Sequence, residues 1–118
     1  MTKSKTLIIY SLEGCPYSKK AEEIVENTFS TDMYEIVRVD HFSKSDIIKQ
    51  NKNLMTTFPQ ILYKGSSEKQ YLLGGCSDLE EFIKLHQKIT AAIQESHFSH
   101  PINPKLIFKL TIIAKTNG

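Results

Sequence analysis

Cysteine is scarce in this chain of 118 residues, which contains only two, Cys15 and Cys76. Two cysteines cannot form the disulfide framework of a small secreted protein, so we expect reduced thiols and a cytoplasmic location. An excess of charge of one sign is also lacking, because 15 basic and 13 acidic side chains leave a net charge of +2. This balance argues against nucleic acid or an acidic membrane surface as a partner.

Long hydrophobic runs are absent as well. The longest apolar stretch, residues 106–114, is interrupted by Lys109 and is far shorter than the ~20 residues of a membrane-spanning helix. The early run Leu7–Tyr10 is too short for the core of a signal peptide. We therefore expect no membrane association, and the composition, 40% hydrophobic and 24% charged, is that of one ordinary globular domain.

Hydrophobic periodicity predicts the element order β-α-β-α-β-β-α. Strands are expected at 5–10, 34–39, 58–63 and 70–73, with a loop at 11–14 after the first strand. A helix starts at Pro16, and a second follows a cap at Ser43 or Ser45. The right-handed crossover rule makes the first two strands a parallel pair, and the hairpin adds an antiparallel pair. The predicted fold is therefore α/β, a four-stranded mixed sheet flanked by helices.

The last predicted helix of the domain follows Gly74-Gly75. Ser77 with Glu80 three residues later matches a capping box, and an apolar face from Leu79 to Ile93 follows. Residues 97–104 contain two prolines and read as a linker, whereas 105–115 predict an extra strand or a short packed helix. We therefore divide the chain into a domain at 1–96 and a C-terminal linker and apolar extension at 97–118.

The segment Cys15-Pro16-Tyr17-Ser18 stands at the predicted start of the first helix. Unpaired N–H groups and the helix dipole stabilise negative charge there, which lowers a cysteine pKa from about 8.5 into the range of about 3.5–7.5. Cys15 is thus a candidate nucleophile. Disulfide oxidoreductases usually have a second cysteine at the fourth position of this segment, where this chain has Ser18.

Three separated segments together resemble the glutaredoxin family in content, order and spacing: Cys15-Pro16-Tyr17-Ser18, Thr57-Phe58-Pro59, and Gly74-Gly75-Cys76-Ser77-Asp78-Leu79. The resemblance spans residues 5–95. It implies a thioredoxin-like fold, here with a short C-terminal extension, and a glutathione-disulfide oxidoreductase with Cys15 as the nucleophile. Pro16, Tyr17 and Ser18 would then flank the active site.

The resemblance also implies a glutathione site. Thr57, Phe58 and Pro59 match the family's Thr-Val-Pro segment, in which a cis proline faces the nucleophile and backbone groups pair with the cysteine of glutathione. Phe58 replaces the family's valine. Around Gly75 and Cys76 the resemblance places backbone N–H groups on the γ-glutamyl carboxylate, with Ser77 at the helix start and Asp78 accepting from the ammonium group. The side chain of Cys76 is expected to be a bystander.

One departure concerns charge near the nucleophile. The family usually has Lys or Arg three residues before the cysteine, where this chain has Leu12, with Glu13 beside it. A neighbouring carboxylate opposes thiolate formation, so we expect a less acidic thiol unless Lys19, Lys20 or another base compensates.

These residues predict removal of glutathione from protein or small-molecule mixed disulfides by a monothiol mechanism. Glutathione would be the co-substrate, glutathionylated proteins the partners, and the chain a monomer without a bound metal ion. An alternative is a glutathione-ligated [2Fe–2S] carrier or sensor with Cys15 as a cluster ligand, although the family's cluster-binding motif has Gly-Phe in place of Pro16-Tyr17. A third hypothesis is an interaction module that binds through residues 106–114.

Overall fold

Four strands form one mixed sheet in this computed structural model, which describes residues 6–52, 55–64, 70–95 and 104–117. The strands are β1 (Leu7–Leu12), β2 (Tyr34–Val39), β3 (Gln60–Lys64) and β4 (Gln70–Gly74), in the sheet order β2-β1-β3-β4. β1 and β2 are parallel, and the other two pairs are antiparallel. The predicted sheet and its α/β class are thereby confirmed.

The helices are α1 (Pro16–Thr28), α2 (Lys44–Gln50), α3 (Cys76–Glu95) and α4 (Pro104–Asn117). Of the two structures predicted for 105–115, the helix is the one observed. The predicted linker at 97–104 lies outside the described residues except for Pro104, which begins α4, and the hairpin turn at 65–69 also lies outside them. No helix among the described residues is long and apolar enough to cross a lipid bilayer.

The chain divides into two compact units, Met1–Leu79 and Glu80–Gly118, and the division falls within α3. The first unit contains the sheet, α1 and α2. The second contains most of α3 and all of α4. The predicted domain boundary at 96 stays a prediction.

The two faces of β1 explain its unbroken apolar run. Because alternate residues of a strand point to opposite faces, Ile8 and Tyr10 lie on one side and Ser11 on the other. Ile8 and Tyr10 belong to a buried cluster against which Ile47 and Ile48 of α2 pack. On the other face, Ser11 donates a hydrogen bond to Glu22 of α1. A helix therefore covers each face of the central strand.

Several predicted boundaries were wrong. β1 continues through Ser11 and Leu12, where a loop was expected, because Ser11 is buried and bonded to Glu22. β3 begins at Gln60, after the cis Phe58–Pro59 peptide bond, and not at residue 58.

The predicted capping box at Ser77 was also wrong. α3 begins at Cys76, so Ser77 lies inside the first helical turn and is exposed. The carbonyl of Gly75 accepts the N–H of Leu79 at 3.0 Å, which makes Gly75 the N-cap. The Asp78 carboxylate reaches back to accept the N–H of Gly75 at 3.0 Å, as the third residue of a capping box does.

In the second unit, α3 and α4 meet through aromatic rings. The Phe108 ring centroid lies 5.4 Å from that of Phe82 and 5.3 Å from that of His86. Phe82 and Phe108 are fully buried, and burial lowers the pKa of His86. The imidazole is therefore held in its neutral form in the folded protein.

We expect the stability of this unit to depend on pH through His86. Its folded pKa lies below the unfolded value of about 6.5, so its contribution is complete above that pH and declines as the pH falls towards the folded pKa. His86→Leu should reduce the loss of thermal stability between neutral and mildly acidic pH. The exposed His41, changed to Asn, is the matched control; an equal effect of both substitutions would contradict the assignment.

Candidate active site

Cys15 occupies the N-cap of α1. Its backbone is extended, with φ −92° and ψ 119°, and Pro16 follows at the first helical position. The Cys15 carbonyl accepts the N–H of Lys19 at 3.1 Å. Pro16 lacks an N–H that would be unpaired there in any case. Gly14, at φ 79°, and a 3.1 Å bond from the Cys15 N–H to the Leu12 carbonyl turn the chain from β1 into the helix. The side chain of an N-cap residue is in position to accept N–H groups of the first turn.

The surroundings of the thiol favour the thiolate. Burial raises the pKa of Cys15, but hydrogen bonds from the backbone and hydroxyl of Ser18 and the backbone of Tyr17, together with the charge of Lys44, outweigh it. The net effect is a pKa below the ordinary value of cysteine. Cys15 is thus a partly accessible thiol with the electrostatic setting of a nucleophile.

Ser18 is the buried member of the motif. Its side chain has no solvent exposure, and its hydroxyl oxygen accepts the N–H of Leu12 at 3.0 Å. Since the oxygen is used as an acceptor by Leu12, the hydroxyl proton is available to the Cys15 sulfur. Tyr17, by contrast, is 67% exposed beside the thiol.

The Thr57-Phe58-Pro59 segment meets the nucleophile through its backbone. The Phe58–Pro59 bond is cis, as the resemblance implies, and the Phe58 carbonyl oxygen lies 3.7 Å from Cys15 Sγ. The phenyl ring of Phe58 is buried in the core cluster with Ile8 and Leu62. Its replacement of valine therefore adds to the core and not to the surface beside the thiol, while Thr57 is exposed.

The Gly74–Asp78 segment lies against the proline segment. A Cβ added at Gly75 would lie 3.2 Å from Met55 Cε and 3.8 Å from the Pro59 carbonyl oxygen. Gly74 has φ 126°, and a Cβ there would overlap the Asp78 carboxylate. Gly74 is therefore required by its backbone conformation and by the Asp78 contact, whereas Gly75 lies close to the end of the Met55 side chain.

Most of the predicted site residues thus belong to one connected surface. The contacts run from Cys15 to Phe58 and from Pro59 to Gly75 and Asp78. Cys76 is buried at the start of α3 and Ser77 is exposed.

An open cleft of about 760 Å³ adjoins Cys15 between the carboxyl ends of β1 and β2 and the start of α1. Its described lining combines acidic, basic and apolar side chains: Ser11, Leu12, Glu13, Gly14, Cys15, Pro16, Lys19, Glu22, Arg38, Val39 and Asp40. Arg38 donates to Glu22 at 3.1 Å, so these two charges offset each other.

Sequence reasoning did not single out Lys44, whose charge favours the Cys15 thiolate. It is the first residue of α2, after a turn in which the Asp40 carboxylate accepts the N–H of Ser43 at 2.7 Å. It supplies positive charge near Cys15, in a chain that has Leu12 where the family has a base. The predicted parallel pairing of β1 and β2 contained the signal, because segments after parallel neighbours lie at the same sheet edge.

One curated relative is similar over about two thirds of the chain. Glutaredoxin 1 of Rickettsia bellii (strain RML369-C) is 32% identical over 82 residues, which are 66% of this chain and 76% of that protein. No family model matches the chain. The alignment covers more than two thirds of the relative's own length.

We expect Ser18→Ala to raise the pKa of Cys15, because the thiolate loses one hydrogen-bond donor. The Leu12 N–H also loses its acceptor, which costs about 1–3 kcal/mol for a buried group. The pH profile of Cys15 alkylation and chemical denaturation measure the two effects. Ser45→Ala, at an exposed position in α2, is the control; an unchanged alkylation profile in Ser18→Ala would show that the hydroxyl does not reach the thiolate.

Lys44→Gln should likewise raise the pKa of Cys15, because it removes a positive charge that favours the thiolate. Lys49→Gln, in the last turn of α2, is the matched control and should leave the pKa unchanged. The alkylation profile at low and high salt measures the effect, which salt should weaken by screening. Equal profiles for the two variants would exclude a specific role of Lys44.

Proposed function

This chain belongs to the glutaredoxin family, and from that premise we propose that it removes glutathione from mixed disulfides with Cys15 as its single reactive thiol. The observation that carries the proposal is the position of Cys15 at the N-cap of α1, with its sulfur 3.7 Å from the Phe58 carbonyl. Its substrates would be glutathionylated proteins and small mixed disulfides.

The first step is an attack of the Cys15 thiolate on the glutathione sulfur of the mixed disulfide. An S–S bond forms between Cys15 and glutathione, and the bond between glutathione and the substrate breaks. The substrate leaves as a thiolate that takes up a proton. The lowered pKa of Cys15 increases the fraction of the attacking thiolate.

A second glutathione completes the cycle. Its thiolate attacks the glutathione sulfur bound to Cys15, forms glutathione disulfide and releases the Cys15 thiolate. Because Ser18 has no thiol, no disulfide forms within the motif. Each turnover consumes one free glutathione, whose sulfur is oxidised as the substrate sulfur is reduced, and the glutathione that came with the substrate leaves in glutathione disulfide. This is the monothiol route.

The glutathione moiety would lie along the surface from residues 57–59 to 75–78. We assign backbone contacts to the glutathione cysteine to Thr57, Phe58 and Pro59, and contacts to the γ-glutamyl carboxylate to the N–H groups of Gly75, Cys76 and Ser77 at the start of α3. The Asp78 carboxylate would attract the ammonium group. In support, Gly75 lies directly against the Pro59 carbonyl, and Asp78 against Gly74.

The cluster-binding alternative fits this site less well. A [2Fe–2S] cluster needs four ligands, commonly thiolates. One chain offers Cys15, because the only other cysteine, Cys76, is buried, so the glutathione-ligated cluster would need the Cys15 of a second chain and two glutathione thiols. Pro16 also occupies the first helical position next to the thiol. We therefore derive no step through a cluster.

The two cysteines provide a matched test of the proposed function. Wild-type protein and Cys76→Ser should reduce a mixed disulfide of glutathione in a glutathione-coupled assay, because the Cys76 segment acts through its backbone. Cys15→Ser should fall to the uncatalysed rate with an unchanged circular dichroism spectrum. Activity retained in Cys15→Ser would refute the proposal, and activity lost only in folded Cys76→Ser would move the nucleophile to Cys76.

A further inference from the structure

Gln60 is a buried polar residue next to the proposed glutathione surface. It begins β3 directly after Pro59, and its side chain has no solvent exposure. A buried carboxamide needs partners for both its oxygen and its nitrogen. Both partners are present, and both lie in the segment that leads from α2 to the proline.

The first partner is Asn51, the C-cap of α2. Its Nδ2 donates to Gln60 Oε1 at 2.7 Å, and Asn51 is itself only 7% exposed. Its backbone N–H bonds to the carbonyl of Ile47. The end of α2 is thereby tied to the start of β3.

The second partner is the backbone of Met55. Gln60 Nε2 donates to the Met55 carbonyl at 2.8 Å, while the Met55 methyl group lies close to Gly75. Gln60 therefore holds both ends of segment 55–59. Its carboxamide bonds to Met55, and its backbone follows Pro59 directly. Between these ends lies Phe58, whose carbonyl faces Cys15 Sγ at 3.7 Å.

We propose that Gln60 is a positioning residue that fixes segment 55–59 against Cys15 and Gly75 and so sets the affinity for glutathione. This inference rests on the proposed function. Gln60 touches neither the thiol nor the proposed glutathione surface directly. It acts through the Phe58 carbonyl and through the Met55 side chain against Gly75.

Glutamine is specifically suited to this place because its two neighbours need opposite groups. Asn51 presents a donor and Met55 an acceptor. A carboxamide pairs with both, because its oxygen accepts and its nitrogen donates. Glutamate offers only acceptors when ionised and would face the Met55 carbonyl with an oxygen. Leucine has similar size but leaves the Asn51 amide and the Met55 carbonyl without this partner.

The test compares Gln60→Leu with wild-type protein on the mixed disulfide of glutathione and 2-mercaptoethanol. Displacement of binding groups by a fraction of an ångström should raise KM roughly tenfold, with a smaller change in kcat. The pH profile of Cys15 alkylation should shift only towards lower pH, because the Phe58 carbonyl accepts from the neutral thiol and its displacement removes that bond. Asn51→Ser removes one of the two bonds and should raise KM by a smaller factor, and it serves if Gln60→Leu does not fold.

Thr111→Val is the control for lost stability alone. Thr111 is buried in α4, in the other unit, and its hydroxyl donates to the Ile107 carbonyl at 2.8 Å. Thr111→Val should lower the thermal stability of the protein without changing KM. A wild-type KM in Gln60→Leu and Asn51→Ser would overturn the positioning role while leaving the proposed function intact. A wild-type protein that does not turn over the disulfide would refute the proposed function and this inference with it.

Discussion

The interaction on which the site depends is the one between the Cys15 sulfur and the first turn of α1. Donors from Tyr17 and Ser18 point at the N-cap position, and they favour negative charge whatever side chain stands there. With a thiol in that place, an ordinary helix start becomes a nucleophile. Ser18 supports this arrangement through its buried hydroxyl. The hydroxyl donates to the thiolate and accepts the N–H of Leu12, the last residue of β1.

The rest of the first unit brings the proposed glutathione surface to this thiol. The ring of Phe58 is buried in the core, so its backbone carbonyl is left facing Cys15. Gly75 lies near the Met55 methyl group and the Pro59 carbonyl, and the Asp78 carboxylate both caps α3 and lies against Gly74. Binding groups are therefore placed by backbone approach and by core packing, and only in part by side chains that point to solvent.

Much of the fold could be predicted from the sequence, because apolar periodicity and Pro16 mark elements locally. The order of the elements, the parallel pair and the hairpin followed from these patterns. The start of α3 did not, because Ser77 looks like a cap in sequence, whereas Asp78 in fact reaches back to Gly75. Ser11 reads as a loop residue until its bond to Glu22 is seen. The proposed role of Gln60 depends on contacts between separate segments, so local patterns carried no sign of it. The position of Lys44 near Cys15 follows only once the parallel pairing of β1 and β2 is considered.

The central claim, that the start of α1 lowers the pKa of Cys15 below that of an ordinary cysteine, is tested most directly by its own titration. The measurement is the pH profile of alkylation of Cys15 in the folded Cys76→Ser protein, in which it is the only thiol. The account predicts an inflection clearly below about 8.5, the ordinary value for cysteine. An inflection at or above that value would contradict it.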